Sequence, residues 1–201
     1  MLKNIIVILL ACVFLVWARL ICKRMQLLLK VGRLCRKKGF RLQYRRGRFT
    51  SVFRDKGEID FTVQTHDEKF AVSILTTRHY FARYHFTRDG YFTVYKRDHV
   101  PTVSVRNGRR AHVLTFTSGT RTRQVASYRT DFETLCKREA GATVVLLINP
   151  VPQEISRIEE NRLIDCYDGD KLPSGITVYA QSGFLAMLQN LPDAHLGVEL
   201  Q

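Results

Sequence analysis

Hydrophobic and polar positions change rhythm three times along the chain. Residues 5–18 form an unbroken apolar run, and Leu20, Ile21 and Cys22 extend it beyond Arg19. From Met25 to Lys38, apolar residues recur at Leu27, Leu28, Val31, Leu34 and Cys35 with cations between them. That spacing predicts an amphipathic helix that Gly39 stops. From Arg41 the period becomes two, clearest over residues 59–64 and 70–74 on either side of a turn at His66-Asp67-Glu68. Asp89-Gly90, between residues 80–87 and 91–97, predicts a β-hairpin, as does Asn107-Gly108 between 102–106 and 109–116. Residues 117–124 read as a loop or a further turn. Asp131 caps a predicted helix through Glu139, with Glu133 in its first turn. Residues 143–149 are continuously apolar, the mark of a strand buried on both faces. A short helix is predicted over 152–161, a strand over 176–180 and a helix capped by Ser182 over 182–191. Residues 163–167 give no clear period, and 193–201 read as a frayed tail.

The opening run has the composition of a membrane span. Its 14 residues reach about 21 Å as a helix, against about 30 Å of hydrocarbon, and continuing to Cys22 gives about 27 Å. Arg19 can snorkel to headgroups, and Trp17 suits the interface. A single-pass anchor over residues 1–22 is therefore the expectation. Three alternatives compete with it. A cleaved signal peptide would want a small-residue site followed by a neutral stretch, but Arg19, Lys23 and Arg24 come instead. Leu9-Leu10-Ala11-Cys12 resembles a lipoprotein box, but the apolar run continues past Cys12. A buried core helix is the third. Lys3 precedes the run, whereas Arg19, Lys23, Arg24, Lys30, Arg33, Arg36, Lys37 and Lys38 follow it. The positive-inside rule then puts the N-terminus outside the cell membrane and the body in the cytoplasm. Five cysteines without a C-x-x-C suit reduced thiols in that compartment, and argue against both a disulfide scaffold and a zinc site.

Charge sharpens the picture. The net charge is +14, but residues 1–130 carry 27 basic and 7 acidic side chains, and residues 131–201 carry 5 basic and 11 acidic. No acid occurs before Asp55. Such a block attracts anionic lipid or nucleic acid, although it could also neutralise the acidic half. A chain of 201 residues fits one core. The expected organisation is an anchor over 1–22, a basic juxtamembrane helix over 23–39 that lies on the bilayer surface or packs on the domain as its first helix, and a cytoplasmic α+β (or α/β) domain over 40–192. A β-hairpin insertion over about 79–128 interrupts that domain.

Gly39-Phe40 after the helix, Gly57-Glu58-Ile59-Asp60-Phe61, and the strand from Lys69 to Leu75 resemble the core of the restriction-endonuclease-like (PD-(D/E)XK) family over about residues 25–150. The resemblance implies a mixed sheet on which a second-strand aspartate and a third-strand acid-x-lysine converge on magnesium and the attacking water. Asp60 takes the aspartate position, while Ser73 and Leu75 take the acid and lysine positions. Strand alternation puts Asp60 opposite Ile59 and Phe61, on one face with Ser73 and Leu75. One carboxylate is a poor magnesium site, and leucine cannot activate water. The expectation is thus a catalytically silent domain without a cofactor. A shifted alignment that recruits Glu58, Asp67, Glu68 or Lys69 beside Asp60 would restore an active nuclease.

Six scattered histidines form no metal motif, and no phosphate loop or nucleophile elbow occurs. A two-residue turn at Asp89-Gly90 sets Tyr84 opposite Tyr95, Phe86 opposite Thr93 and Arg88 opposite Tyr91. Tyr84, Phe86, Tyr91 and Tyr95 then share a face that could stack bases or form core, with Arg83, His85 and Lys96 on the other. Candidate groups for lipid phosphate or nucleic acid are Lys23, Arg24, Lys30, Arg33, Arg36, Lys37, Lys38, Arg83, Arg88, Lys96, Arg106, Arg109 and Arg110. The expected function is binding at the membrane, to anionic lipid or a protein partner that the sequence does not name. A tethered nucleic-acid-binding module and an active nuclease centred on Asp60 are the alternatives.

Overall fold

The apolar run and the amphipathic helix form one element in the computed structural model of the chain. That structure describes residues 2–45, 58–76, 82–86, 91–95, 102–105, 112–118, 121–124, 127–129, 132–159 and 162–194. Side chains are described except at 2–10, 13, 91, 93, 95 and within 102–129. Helix α1 spans Leu2–Lys38, about 55 Å at 1.5 Å per residue. Leu20, Arg24, Leu27, Leu28, Val31 and Cys35 are buried along it, at the three- and four-residue steps that keep one helix face against a partner. Gly39 ends the helix at φ 74°, and Phe40 N donates to Cys35 O at 2.8 Å. Only glycine adopts that left-handed backbone cheaply. The segment 23–39 is accordingly built into the core as the first helix of the domain.

Among the described residues no helix is long and apolar enough to cross a membrane. The side chains of residues 2–10 and of Val13 stand outside that statement. A membrane-crossing helix over 1–22 is thus not supported by the length and apolarity of the described residues.

Five strands follow α1: β1 (Arg41–Tyr44), β2 (Phe61–Gln64), β3 (Lys69–Thr76), β4 (Arg83–Phe86) and β5 (Tyr91–Tyr95). Next come β6 (Thr102–Val105), β7 (His112–Ser118), β8 (Arg121–Gln124), β9 (Ser127–Arg129) and helix α2 (Phe132–Arg138). The chain closes with β10 (Thr143–Asn149), β11 (Glu154–Glu159), β12 (Arg162–Asp165), β13 (Thr177–Ala180) and α3 (Gln181–Asn190). The central sheet has the order β1-β2-β3-β10-β13. Its first three strands are antiparallel, and β10 lies parallel between β3 and β13. A second sheet, β12-β11-β4-β5-β9, and a three-stranded sheet, β6-β7-β8, use the inserted region and the segment after β10.

The central sheet is covered on both faces. Leu27 and Val31 of α1, with Phe184 and Leu188 of α3, pack on Phe61, Val72, Val145 and Leu147. Ala71, Leu146, Ile148 and Val178 point the other way, to Phe132 and Leu135 of α2 and to Tyr84, Phe86 and Phe92 of the second sheet. The apolar run of β10 is therefore a strand buried on both faces, as its sequence predicts. The mixed α+β class stands.

Several local expectations are corrected. Residues 154–159 form a strand rather than a helix, because β11 pairs parallel with β4 and antiparallel with β12. Much of 117–124 is strand, since Thr115 to Ser118 pair with Arg121 to Gln124. The β4–β5 hairpin slips by one residue: Tyr84 opposes Val94 and Phe86 opposes Phe92. A one-residue slip exchanges faces along the partner strand, so Phe92 joins Tyr84 and Phe86 inside the core. The proposed stacking platform is thereby removed at Tyr84 and Phe86.

Candidate functional site

The acidic position singled out by sequence lies where β2 begins. Asp60 N donates to Val72 O at 2.8 Å, and Phe61 pairs with Val72, which sets Asp60 beside Ser73. Strict alternation fails at this point. Ile59 packs toward α2 and the second sheet, whereas Phe61 packs toward α1. The Asp60 carboxylate turns to α1 as well. Oδ1 accepts from Arg24 Nη2, and Oδ2 accepts from Ile74 N at 2.6 Å. Both members of the ion pair are almost wholly buried. This is a charge pair sealed between a helix and a sheet, held in addition by a backbone donor.

The arrangement changes the role of each candidate. Arg24, expected at a phosphate-binding surface, is an interior residue because its guanidinium neutralises Asp60. Ser73 is buried, and Leu75 belongs to the core face away from α1, so no cleft unites the three. Lys69 is exposed and pairs with Gln64, at the opposite end of the β2–β3 hairpin. Four strand residues from Ser73, it stands about 13 Å from the Asp60 position. Glu58 is half-buried, and Asp67 and Glu68 belong to the exposed turn. Among the described residues, no group of three His, Cys, Asp or Glu side chains could hold a metal ion.

The other candidates divide between interior and surface. Lys30, Arg33, Arg36 and Lys37 are exposed on α1, and Lys23 is half-buried, its pKa lowered by burial and then by Arg19. Arg19, Lys23, Lys30, Arg33 and Lys37 follow one another at helical steps and form a row away from the buried face. Lys38 departs from that row. Its Nζ donates to Leu191 O at 2.8 Å and pairs with Asp193 at 2.7 Å, tying α1 to the end of α3. Residues 191–194 are consequently anchored, in contrast to the frayed tail expected from 193. Arg83 is mostly buried, with Nε 3.2 Å from Glu154 Oε2 but without hydrogen-bond alignment. Arg88, Lys96, Arg106, Arg109 and Arg110 lie outside the described residues.

Three features were missed by sequence reading. His85 Nδ1 meets Ser156 Oγ across the β4–β11 pair, both fully buried. Burial, then the charge of Arg83, lowers His85 to about 4. The ring is neutral at pH 7, and its enclosure makes this a structural contact rather than a reaction centre. Asp168 occupies the N-terminus of α3, where Oδ1 accepts from Ala180 N. Helix α3 takes no capping hydrogen bond from its own N-cap side chain, so the cap expected from Ser182 comes from a distant segment. At the carboxyl ends of β3 and β10, Thr76 and Asn149 are register partners. Thr76 Oγ1 and Asn149 Nδ2 find no hydrogen-bond partner among the described residues. Only Asp60 carried a signal in the sequence, as an acid inside an apolar strand.

Comparison with protein-family models, with curated proteins and with solved structures gives no match for this chain.

Proposed function

We propose that this chain is a membrane-anchored, non-catalytic α+β domain of restriction-endonuclease-like descent that presents a row of cations to an anionic partner. The observation that carries this reading is α1 itself. Phe14, Leu15 and Val16 are exposed at 62%, 66% and 45%, while the same helix from Leu20 onward is built into the core. Contiguous exposed apolar side chains at the end of a core helix need an apolar medium, and the uncharged run before them supplies the rest of a span. The order of elements supports the descent: a helix, three antiparallel strands, a second helix, then a strand parallel to the third. Silence follows from Asp60, whose carboxylate is committed to Arg24 and Ile74 N.

Distance along α1 sorts the possible partners. Arg19 and Lys23 adjoin the apolar segment and are placed for lipid phosphates. Lys30 and Lys37 lie about 16 and 27 Å further along the axis than Arg19, beyond the screening length of about 8 Å at physiological salt. With α1 steep in the bilayer, those outer cations serve a second anion, and nucleic acid is the reading this spacing favours.

Carbonate extraction of membranes carrying the full chain tests the anchor. Retention in the pellet is expected, and release into the supernatant would refute it. Titration of the full chain in neutral nanodiscs with single- and double-stranded DNA and RNA at several salt concentrations tests the outer row. Binding that weakens with salt, and a smaller salt slope in Lys30→Gln/Arg33→Gln/Lys37→Gln, are expected. Equal binding by that variant would remove nucleic acid. Magnesium-dependent cleavage by the wild type, lost in Asp60→Asn, would overturn catalytic silence.

A further inference from the structure

The fold has two poles, and α1 leaves it at only one. Arg24 meets Asp60, which also holds Ile74 N near the carboxyl end of β3. At its other end α1 reaches Lys38, which holds Leu191 and Asp193 beyond the C-terminus of α3. Moving from Lys38 back to Arg24 therefore runs toward the carboxyl ends of the parallel strands β3, β10 and β13. Beyond Leu20 the helix continues out of the domain at that pole, with Phe14, Leu15 and Val16 exposed.

Two further exposed apolar side chains lie at the same pole. Val151, 43% exposed, follows the end of β10 by two residues. Tyr167, 72% exposed, precedes Asp168, whose carboxylate holds Ala180 N at the end of β13. Around Tyr167, Asp165 and Asp168 are exposed and Asp170 is half-buried; Asp168 accepts from Ala180 N, and Asp170 accepts from Tyr167 N at 2.9 Å. The opposite pole is polar, with exposed His66, Asp67, Glu68 and Lys69 at the β2–β3 turn.

We infer that the pole carrying Val151 and Tyr167 seats in the headgroup layer of the bilayer, so the domain stands on the membrane by the carboxyl ends of its parallel strands. This rests on the membrane reading above and adds to it which face of the domain the lipid touches. No flexible linker separates anchor from core, because α1 is helical throughout and Leu20 is already buried. A domain so close to the bilayer must place some surface against it. A tyrosine tip and a small aliphatic group suit that layer, where one end of a side chain is apolar and the other wet. Apolar contact rather than charge holds this face, since aspartates flank Tyr167. The poles are about 25 Å apart along β3.

Trp17 is the only tryptophan, which makes the test direct. The full chain is reconstituted in phosphatidylcholine vesicles containing lipids with quenchers at shallow or deep acyl positions. Wild-type Trp17 reports the anchor. In a Trp17→Phe background, Tyr167→Trp and, separately, Val151→Trp report the pole, and His66→Trp reports the far end. The inference expects quenching of Trp17 and shallow quenching of both pole reporters with a blue shift that persists at 1 M salt (a screening length of about 3 Å). It expects the His66→Trp reporter to remain unquenched. Quenching of Trp17 with neither pole reporter affected overturns the seating and leaves the anchor standing. Quenching of the His66→Trp reporter as strong as that at the pole lays the domain on its side and likewise overturns it. No quenching of Trp17 defeats the membrane reading and the seating together.

Discussion

Arg24 and Asp60 gain little from being charged and lose much when separated. Desolvating both ions roughly offsets their attraction, but removing one strands the other. Asp60→Ala should therefore cost about 3–5 kcal/mol in denaturant unfolding, while Arg24→Met/Asp60→Leu should recover most of that loss. Full additivity of the two single substitutions would show that the pair is not coupled. A second local dependence is steric. A Cβ on Gly183 would run into the Asp168 carboxyl group and sit 2.7 Å from Asp168 Cβ. Gly183→Ala should destabilise the chain despite its better helix propensity, and Asp168→Gly, which removes the Cβ together with the carboxylate, should relieve the clash while costing about 1 kcal/mol for the lost hydrogen bond to Ala180 N. Thermal midpoints of the two variants and their combination decide it. His85 provides the pH dependence. Its folded pKa is lowered to about 4 from 6.5, so below pH 6.5 the unfolded state binds the extra proton. Its contribution is complete above pH 6.5 and falls as pH drops toward 4, by roughly 3 kcal/mol. His85→Gln should flatten this limb of the stability–pH curve. Asp60 was legible as an unusual residue, because an acid among apolar strand positions stands out. Its partner was not, because 36 residues separate them and no local pattern links a helix cation to a particular strand.

Elements were legible where their own residues decide the pattern, whether one buried helix face or a run buried on both faces. Strand β10 and helix α2 lie close to the ranges their sequences predict, and α1 shows the buried stripe its spacing implies. Segment 154–159 misled, because Glu, Ile, Ser and Arg are all acceptable in helices. Ladder bonds to β4 on one side and β12 on the other outweigh so weak a preference. Ile158, 2% exposed, is buried in this strand. Ile158→Ala should cost about 2–5 kcal/mol, and a loss under 1 kcal/mol by chemical denaturation would contradict the observed packing. The β4–β5 slip has a different origin. Asp-Gly marks a turn, but the residue count of the loop sets register, and register decides which aromatics enter the core.

At the scale of the molecule, α1 joins three roles: an apolar end, a buried stripe and a row of cations. Cys12 and Cys22 are exposed on it, whereas Cys35 and Cys166 are buried, with thiols pushed up to about 11. An impermeant maleimide should modify Cys22 in inverted membrane vesicles and spare it in right-side-out ones. The reverse pattern would invert the proposed topology. Cys35 and Cys166 should remain unmodified until the domain is unfolded, because burial denies the reagent both access and thiolate.

The α+β class, the helix that opens the domain, the doubly buried β10 and the separation of basic from acidic halves are properties of the sequence alone. Each is a local pattern or a sum over residues, and neither depends on which distant segments meet. The inward turn of Asp60 to Arg24, the capture of Lys38 by α3, the cap lent by Asp168 and the strand at 154–159 were decided by tertiary structure. In each case a buried or terminal polar group had several chemically adequate partners along the chain, and only the packing of helices on the sheet chose among them.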